Sequence, residues 1–202
     1  MTTLVIVSGG LRDPSSTRLL ADRLESAVRA EFGTAGVPVE SSFVELRPLA
    51  RAIVDAMLSG FATEPLEEAF ETLAGADGLI AVTPAFNASF SGLFKSFFDV
   101  LPPETLSEMP VLIGATGGTE RHSLVLEHAL RPMFSYLHAI VSPRGVYAAT
   151  EDFGTSEDGT ALGSRIKAAA ADYTRLVQGC GGHTRRDVPS EDLTAMRRLL
   201  SP

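Results

Sequence analysis

Hydroxyl, amide and proline side chains are concentrated in one loop near the middle of the chain, Thr-Pro-Ala-Phe-Asn-Ala-Ser-Phe-Ser-Gly at residues 83–92. The apolar run just before this loop predicts a buried strand, and a helical pattern follows it. Open α/β sheets bind ligands at the carboxyl ends of their strands, where such loops lie. Pro84 stiffens the exit from the strand, Phe86 can cover a planar group, and Asn87 can hydrogen-bond to its edge. The loop therefore predicts a binding site for a small molecule.

A second hydroxyl-rich loop follows the first apolar run and has the sequence Ser-Gly-Gly-Leu-Arg-Asp-Pro-Ser-Ser-Thr at residues 8–17. It leads into a helical pattern. A helix N-terminus presents unpaired N–H groups and the positive end of the helix dipole, so it can bind a phosphate without a lysine. Hydroxyl donors come from Ser8, Ser15, Ser16 and Thr17, and Arg12 adds a positive charge. The loop predicts a phosphate site, although serine and threonine also cap helices that bind no anion.

A third loop, at residues 115–120, contains the glycine pair Gly117 and Gly118 between two threonines, Thr116 and Thr119. Paired glycines let backbone N–H groups point at a ligand oxygen. Such donors are most useful where negative charge develops on the ligand during a reaction. The alternative is a tight turn before a helix.

The sequence lacks the motifs of several other enzyme classes. It contains no G-x-G-x-x-G, no G-x-x-x-x-G-K-[ST] and no G-x-S-x-G. The four histidines lack metal-ligand spacing, and Cys180 lies between glycines with no motif around it. These absences disfavour a dinucleotide-binding Rossmann domain, a P-loop enzyme, an acyl-transfer serine and a metal centre.

Apolar periodicity predicts that strands and helices alternate along the chain. The predicted strands are residues 4–8, 37–46, 79–83, 110–116 and a fifth within 139–150 that is interrupted at 143–145. The predicted helices are residues 16–32, 64–73, 91–101, 123–138 with a kink or division at Pro132, and 158–177, while 46–60 is ambiguous. This alternation predicts an α/β fold, a flavodoxin-like three-layer sandwich with a five-stranded parallel sheet in the order 2-1-3-4-5. We assign residues 1–179 to this domain and 180–202 to a C-terminal tail with a short helix.

Composition sets limits on the partners and the compartment. The 202-residue chain is 45% hydrophobic and carries a net charge of −8, which is ordinary for a globular domain and unfavourable for binding nucleic acid. A single cysteine excludes an internal disulfide and is typical of a reducing compartment. No apolar run approaches the length of a membrane span, and the N-terminus lacks the basic flank of a signal peptide. We therefore expect a cytoplasmic protein that binds no membrane.

The three loops together resemble the flavin-binding loops of NADPH-dependent FMN reductases. That family has a T-P-x-Y-x-x-S-x-S-G-x-x-K type pattern at the position of residues 83–95, and the sequence His-Ala-Leu-Arg-Pro at 128–132 is similar to its x-A-L-R-P stretch. The similarity covers roughly residues 3–178 and is closest to the branch that supplies reduced FMN to luciferase-like or alkanesulfonate-type monooxygenases. Two departures are Phe86, where many relatives have tyrosine, and the tail beyond Gly182.

The resemblance implies roles for thirteen residues of the three loops. Ser8, Arg12, Ser15, Ser16 and Thr17 would hold the FMN phosphate, Pro84, Phe86, Asn87 and Ser91 would flank the ribityl chain and ring, and Thr116, Gly117, Gly118 and Thr119 would reach the pyrimidine edge. No acid–base residue is required, because the hydride passes directly from nicotinamide to flavin N5.

The implied function is an NAD(P)H:FMN oxidoreductase that transfers a hydride from NADPH or NADH to FMN and yields FMNH2 for a partner monooxygenase. Two alternatives stay open at this point. One is an FMN-dependent quinone or azo reductase, and the other is a flavodoxin-like electron carrier with no nicotinamide site of its own. The sequence does not decide between NADPH and NADH.

Two further features predict assembly. A phenylalanine stripe at Phe90, Phe94, Phe97 and Phe98 is typical of a helix that packs in the core or in a subunit interface. Together with Met133, Phe134 and Tyr136 it exceeds what a small domain can readily bury, so we predict a homodimer or homotetramer with this stripe in its interface. In the tail, Ser190 can cap a short helix with an apolar stripe at Leu193, Met196 and Leu200. We expect that helix to dock on this subunit, a neighbour or the monooxygenase.

Overall fold

The structure, a computed structural model, describes residues 1–154 and 157–183. The helix expected in the tail lies outside these residues. Within the described ranges, no helix is both long and apolar enough to cross a lipid bilayer.

Among the described residues, the sheet is parallel apart from one short strand. Its strands are β1 Thr2–Ser8, β2 Val39–Glu45, β3 Gly78–Phe86, β4 Ser89–Phe90, β5 Pro110–Gly117, β6 Ile140–Val141 and β7 Val146–Ala149. The order is β2-β1-β3-β5, and β6 and β7 pair in parallel with successive parts of β5. If β6 and β7 are counted as one interrupted strand, the predicted order of five parallel strands is confirmed. β4 pairs antiparallel with the end of β3, which the sequence did not predict.

The interruption between β6 and β7 has a local cause. Pro143 cannot donate a backbone hydrogen bond to the sheet. A Cβ at Gly145 would lie 2.9 Å from Cγ1 and 3.1 Å from the carbonyl oxygen of Ile113, so a larger residue here would have to shift the chain away from β5. The interruption that was predicted at residues 143–145 therefore lies where the strand divides.

In the part of the chain that the structure describes, six α-helices cover the two faces of the sheet. They are α1 Ser16–Thr34, α2 Leu46–Ser59, α3 Glu64–Ala74, α4 Gly92–Asp99, α5 Arg131–Tyr136 and α6 Glu157–Cys180. The ambiguous segment at 46–60 is a helix, which ends at Gly60 with φ 79°. The helix predicted at 123–138, with a kink or division at Pro132, is indeed divided there: a π-helical turn at Leu126–Leu130 precedes α5, and Pro132 lies in the first turn of α5. The helical start expected at Ser123 is not observed, because the π-helical turn begins at Leu126.

Alternate residues of each strand face opposite layers, so both faces of the sheet are apolar. Leu4 and Ile6 of β1 pack against α1 and α6, whereas Val5 and Val7 face the layer that contains α2, α3, α4 and α5. The three-layer sandwich that the alternation predicted is thereby confirmed. The layers hold the strands in register, and the carboxyl ends of β1, β3 and β5 meet at one edge.

The phenylalanine stripe belongs to the core. Phe94, Phe97, Phe98 and Phe134 are buried, and their rings pack at centroid distances such as 4.9 Å between Phe94 and Phe98. The prediction that these rings form a subunit interface is therefore wrong, because α4 and α5 bury them against each other. Of the predicted group, only Tyr136 is highly exposed.

Candidate functional site

The register of the sheet brings the three predicted loops together. Ser8 at the end of β1 lies opposite Val82 of β3, and Pro84 of β3 lies opposite Thr116 of β5. The backbone N–H of Gly9 donates to the carbonyl of Val82 at 2.8 Å, which continues the pairing into the first loop. The thirteen predicted residues therefore lie at or just beyond the carboxyl ends of β1, β3 and β5, at one edge of the sheet.

The first loop ends at the N-terminus of α1. Ser15 is the N-cap, and its Oγ accepts a hydrogen bond from the N–H of Arg18 at 3.2 Å. Ser16 is exposed at the start of the helix, and the N–H groups of this first turn have no acceptor inside the helix. A Cβ at Gly10 would overlap the Ser15 hydroxyl, so a larger residue here would displace the oxygen that caps α1. The result is a cradle of N–H and O–H donors of the kind that binds phosphate.

Two of the predicted phosphate ligands are buried. Ser8 and Thr17 are almost inaccessible to solvent, and Thr17 Oγ1 is 2.9 Å from Thr116 Oγ1. This bond joins the first loop to the third. A hydroxyl pair uses only one of its two protons for its own bond, so one O–H donor remains available.

Positive charge beside the cradle comes from Arg12 and Arg18. Arg12 is exposed in the loop. Arg18 pairs with Asp22, with 2.8 Å between Nε and Oδ1, and also with Glu45, while its guanidinium lies 4.1 Å from the ring centroid of Phe43. The sequence analysis missed Arg18, because its partners come from β2 and from the next turn of its own helix.

The second loop is a β-hairpin. Phe86 pairs with Ser89, and the two residues between them, Asn87 and Ala88, have φ values of 49° and 65°. A two-residue turn with positive φ at both positions is the type I′ turn that suits the twist of a hairpin. Asparagine tolerates this conformation, whereas alanine is strained in it, and such strain is often found at ligand sites. The side chain of Phe86 is 44% exposed, so its ring is available for contact.

Pro84 and Ser91 form the base of the hairpin. Both are buried, and Ser91 is the N-cap of α4, where its Oγ accepts from the N–H of Phe94 at 3.4 Å. The N–H of Ser91 donates to Thr83 Oγ1 at 3.2 Å. Thr83, which the sequence analysis did not select, therefore links β3 to the residue that follows the hairpin.

The third loop is held by a tyrosine from β7. The Tyr147 hydroxyl donates to the carbonyl oxygen of Thr119 at 2.7 Å, and a Cβ at Gly117 would overlap that hydroxyl. Burial raises the pKa of Tyr147, and the carboxylate of Asp152 raises it further, so the phenol keeps the proton that it donates. Gly118 and Thr119 remain exposed at the edge of the site. No sequence signal marks Tyr147, which lies in an ordinary apolar strand.

The donor set fits a flavin mononucleotide. A helix N-terminus with hydroxyls and an arginine suits a phosphate, an exposed aromatic ring suits one face of an isoalloxazine, and threonines with paired glycines suit its polar edge. The thirteen predicted residues include no histidine, cysteine, lysine or carboxylate. The chemistry of this residue set is suited to holding and orienting a ligand rather than to proton transfer.

The fold and the site define a flavodoxin-like α/β protein whose phosphate cradle lies after the first strand. Comparison with known proteins identifies the family. The model of the NADPH-dependent FMN reductase family matches residues 1–154, so the chain belongs to that family. The predicted family, fold class and enzyme class are confirmed: it is an oxidoreductase that uses FMN and a reduced nicotinamide nucleotide.

Individual relatives agree with the family. The FMN reductase (NADPH) of Pseudomonas aeruginosa is 40% identical over 150 residues, which cover 74% of this chain and 78% of the relative. The NADH-dependent FMN reductase SfnE of Pseudomonas putida is 37% identical over 181 residues, which cover 89% and 93%. Among solved structures, an oxidoreductase from Corynebacterium diphtheriae has a TM-score of 0.85 at 45% identity and covers 89% of this chain and 98% of its own.

Proposed function

We propose that this FMN reductase binds FMN with its phosphate at the N-terminus of α1, reduces it with NADPH or NADH, and delivers FMNH2 to a partner monooxygenase. The observation that carries the proposal is the meeting of the phosphate cradle, the hairpin and the glycine loop at one edge of the sheet. When bound, FMN supplies the hydride-accepting ring.

Each loop has a separate task in this proposal. Ser8, Arg12, Ser15, Ser16 and Thr17 would bind the phosphate through hydroxyls, the helix N–H groups and one positive charge. The hairpin residues Pro84, Phe86, Asn87 and Ser91 would orient the ring and exclude water from one face. Thr116, Gly117, Gly118 and Thr119 would donate hydrogen bonds to the pyrimidine edge, where negative charge develops on reduction.

The phosphate position can be tested by titrating FMN into the apoprotein. Ser16→Ala/Thr17→Ala should weaken binding by about 1.5–3 kcal/mol, because hydrogen bonds to a charged group are lost. The matched control is Ser26→Ala/Thr34→Ala, which changes one serine and one threonine farther along α1. The single variant Ser16→Ala keeps the hydrogen bond between Thr17 and Thr116, so any loss of FMN affinity in it is not caused by breaking that bond. Unchanged affinity in the first double variant would place the phosphate elsewhere.

Turnover distinguishes a reductase from an electron carrier. Oxidation of NADPH or NADH should be rapid when free FMN is supplied and should produce reduced FMN that a monooxygenase can use. If the nucleotide is oxidised rapidly only when a quinone or azo compound is present, then that compound is the electron acceptor and a monooxygenase is not the partner. An FMN-loaded protein that does not oxidise either nucleotide would contradict the hydride transfer.

We also propose a cytoplasmic homodimer or homotetramer. With the phenylalanines buried, the support comes from Val54, Met57, Leu58 and Phe61, four exposed apolar side chains at helical spacing along and just beyond α2. Leu58→Glu/Phe61→Glu should shift the protein to a 21.4 kDa monomer in sedimentation equilibrium. Leu124→Glu, at another exposed apolar position, should leave the mass unchanged. A wild-type monomer at micromolar concentration would contradict this assembly.

A further inference from the structure

The hydroxyl of Tyr147 contacts the glycine loop, residues 115–120, at two points. It donates to the carbonyl oxygen of Thr119 at 2.7 Å, and Gly117 lies so close to it that an added Cβ would overlap the oxygen. Gly118 lies between these two points. Paired glycines otherwise allow the backbone many conformations, so this one hydroxyl restricts a segment that would be free to move without it.

The restricted segment carries two free donors. Gly118 and Thr119 are exposed, and within residues 1–154 and 157–183 their backbone N–H groups donate to no protein acceptor. Both groups therefore remain available to a ligand at this edge of the sheet. Donors whose directions are set before the ligand arrives stabilise developing negative charge without having to reorganise.

Tyr147 is itself held from the opposite face of the sheet, where α6 packs. Asp152 follows β7, and its Oδ2 accepts from the N–H of Ala149 at 2.8 Å, while its Oδ1 accepts from Arg165 Nη2 at 2.6 Å. The same nitrogen of Arg165 donates to the carbonyl oxygen of Tyr147 at 3.4 Å. An arginine of α6 therefore fixes the carboxyl end of β7, from which the tyrosine side chain reaches the glycine loop.

We infer that Tyr147 is a positioning residue for flavin reduction: it sets the directions of the Gly118 and Thr119 N–H groups and thereby raises the reduction potential of bound FMN. The inference rests on the proposed function, which places the pyrimidine edge of the flavin at this loop. Reduction adds negative charge to that edge, so correctly aimed N–H groups bind reduced FMN more tightly than oxidised FMN. Tighter binding of the reduced form raises the potential at which the flavin accepts a hydride.

Tyr147→Phe and Tyr173→Phe form a matched pair at the two ends of β5. Each removes one phenol oxygen from a buried side chain. Tyr147 donates to Thr119, just beyond the carboxyl end of the strand, whereas Tyr173 donates to the carbonyl oxygen of Pro110, its first residue. Both variants should lower the free energy of unfolding, but only Tyr147→Phe should change the flavin. It should weaken binding of reduced FMN roughly tenfold more than binding of oxidised FMN, which lowers the two-electron midpoint potential by about 30 mV.

A second pair of variants tests the support from α6. Arg165→Met should lower the midpoint potential by a smaller amount than Tyr147→Phe, because the tyrosine keeps its hydroxyl but loses part of its support. Arg175→Met, which removes an ion pair with Asp172 farther along α6, should leave the potential unchanged.

Potentiometric titration of the FMN-loaded proteins, followed by flavin absorbance, measures these shifts without turnover. Equal potentials in Tyr147→Phe and Tyr173→Phe would overturn the inference, and so would equal effects of the two arginine variants. In either case, a wild-type protein that binds FMN and oxidises NADPH or NADH would still support the proposed function. A wild-type protein that binds no FMN would count against that function itself.

Discussion

Among the glycines of the candidate site, Gly117 has the least room for a Cβ, because the Tyr147 hydroxyl lies against it, and Gly117→Ala tests the importance of this contact. An added Cβ would overlap the Tyr147 hydroxyl and lie 3.1 Å from Cζ. Tyr147 cannot easily withdraw, because it is buried in β7 and its hydroxyl is bonded to Thr119. The substitution must therefore displace either the tyrosine or the glycine loop.

The expected magnitude has two parts. Overpacking of a well-packed site destabilises by about 1–3 kcal/mol, and loss of the hydrogen bond to Thr119 adds about 0.5–1.5 kcal/mol. For a chain of this size, each kcal/mol lowers the melting temperature by about 2–4 °C, so Gly117→Ala should lower it by roughly 3–18 °C. Gly118→Ala is the matched control, because its Cβ would meet nothing within 4 Å.

The assay is chemical denaturation of the apoproteins in a double-mutant cycle. Tyr147→Phe alone should cost about 1 kcal/mol, since it loses one hydrogen bond. The double variant Gly117→Ala/Tyr147→Phe should be more stable than Gly117→Ala, because the overlapping hydroxyl is gone. If Gly117→Ala is as stable as Gly118→Ala, or if the two single effects simply add, the reasoning about this contact is refuted.

Three other predictions concern the turn, the core and the tail. Ala88→Gly should raise the free energy of unfolding by about 0.5–1 kcal/mol in denaturant titrations, because glycine relieves the strain of φ 65°, and no gain would contradict a strained turn. Burial, and then the charge of Asp77, raise the pKa of Tyr173 well above its ordinary value, so the phenol stays neutral in the fold while the unfolded chain ionises. The free energy of unfolding should therefore fall as pH rises above about 10, and Tyr173→Phe should flatten that slope; equal slopes would contradict it. Truncation after Gly182 should leave the Kd for FMN unchanged, since the three loops end by residue 120, and a large loss would assign the tail to the flavin site.

Much of the fold was predictable because parallel strands that are buried on both faces appear as continuous apolar runs. The runs at β1, β3 and β5 marked the central strands, and the helices between them implied the parallel order. The division of residues 123–138 was not predictable in detail, because a proline can either kink a helix or begin one. The burial of Phe94 and Phe98 depended on how α4 meets α5, which periodicity alone does not reveal.

The site was predictable as three loops but not as a set of contacts. Asn-Ala is a weaker turn signal than Asn-Gly, so the hairpin at Asn87 was missed. The bond between Thr17 and Thr116 joins residues far apart in sequence, and the hydroxyl of Tyr147 reaches Thr119 from another strand. Such contacts arise from the register of the sheet.

The central claim is that FMN binds where the three loops meet, with its phosphate at the N-terminus of α1. A crystal structure of the FMN complex tests it most directly. The account predicts phosphate density within hydrogen-bonding distance of Ser16 and the first-turn N–H groups, with the ring between Phe86 and Gly118. Phosphate density at any other helix, or a ring outside the hairpin and the glycine loop, would contradict it.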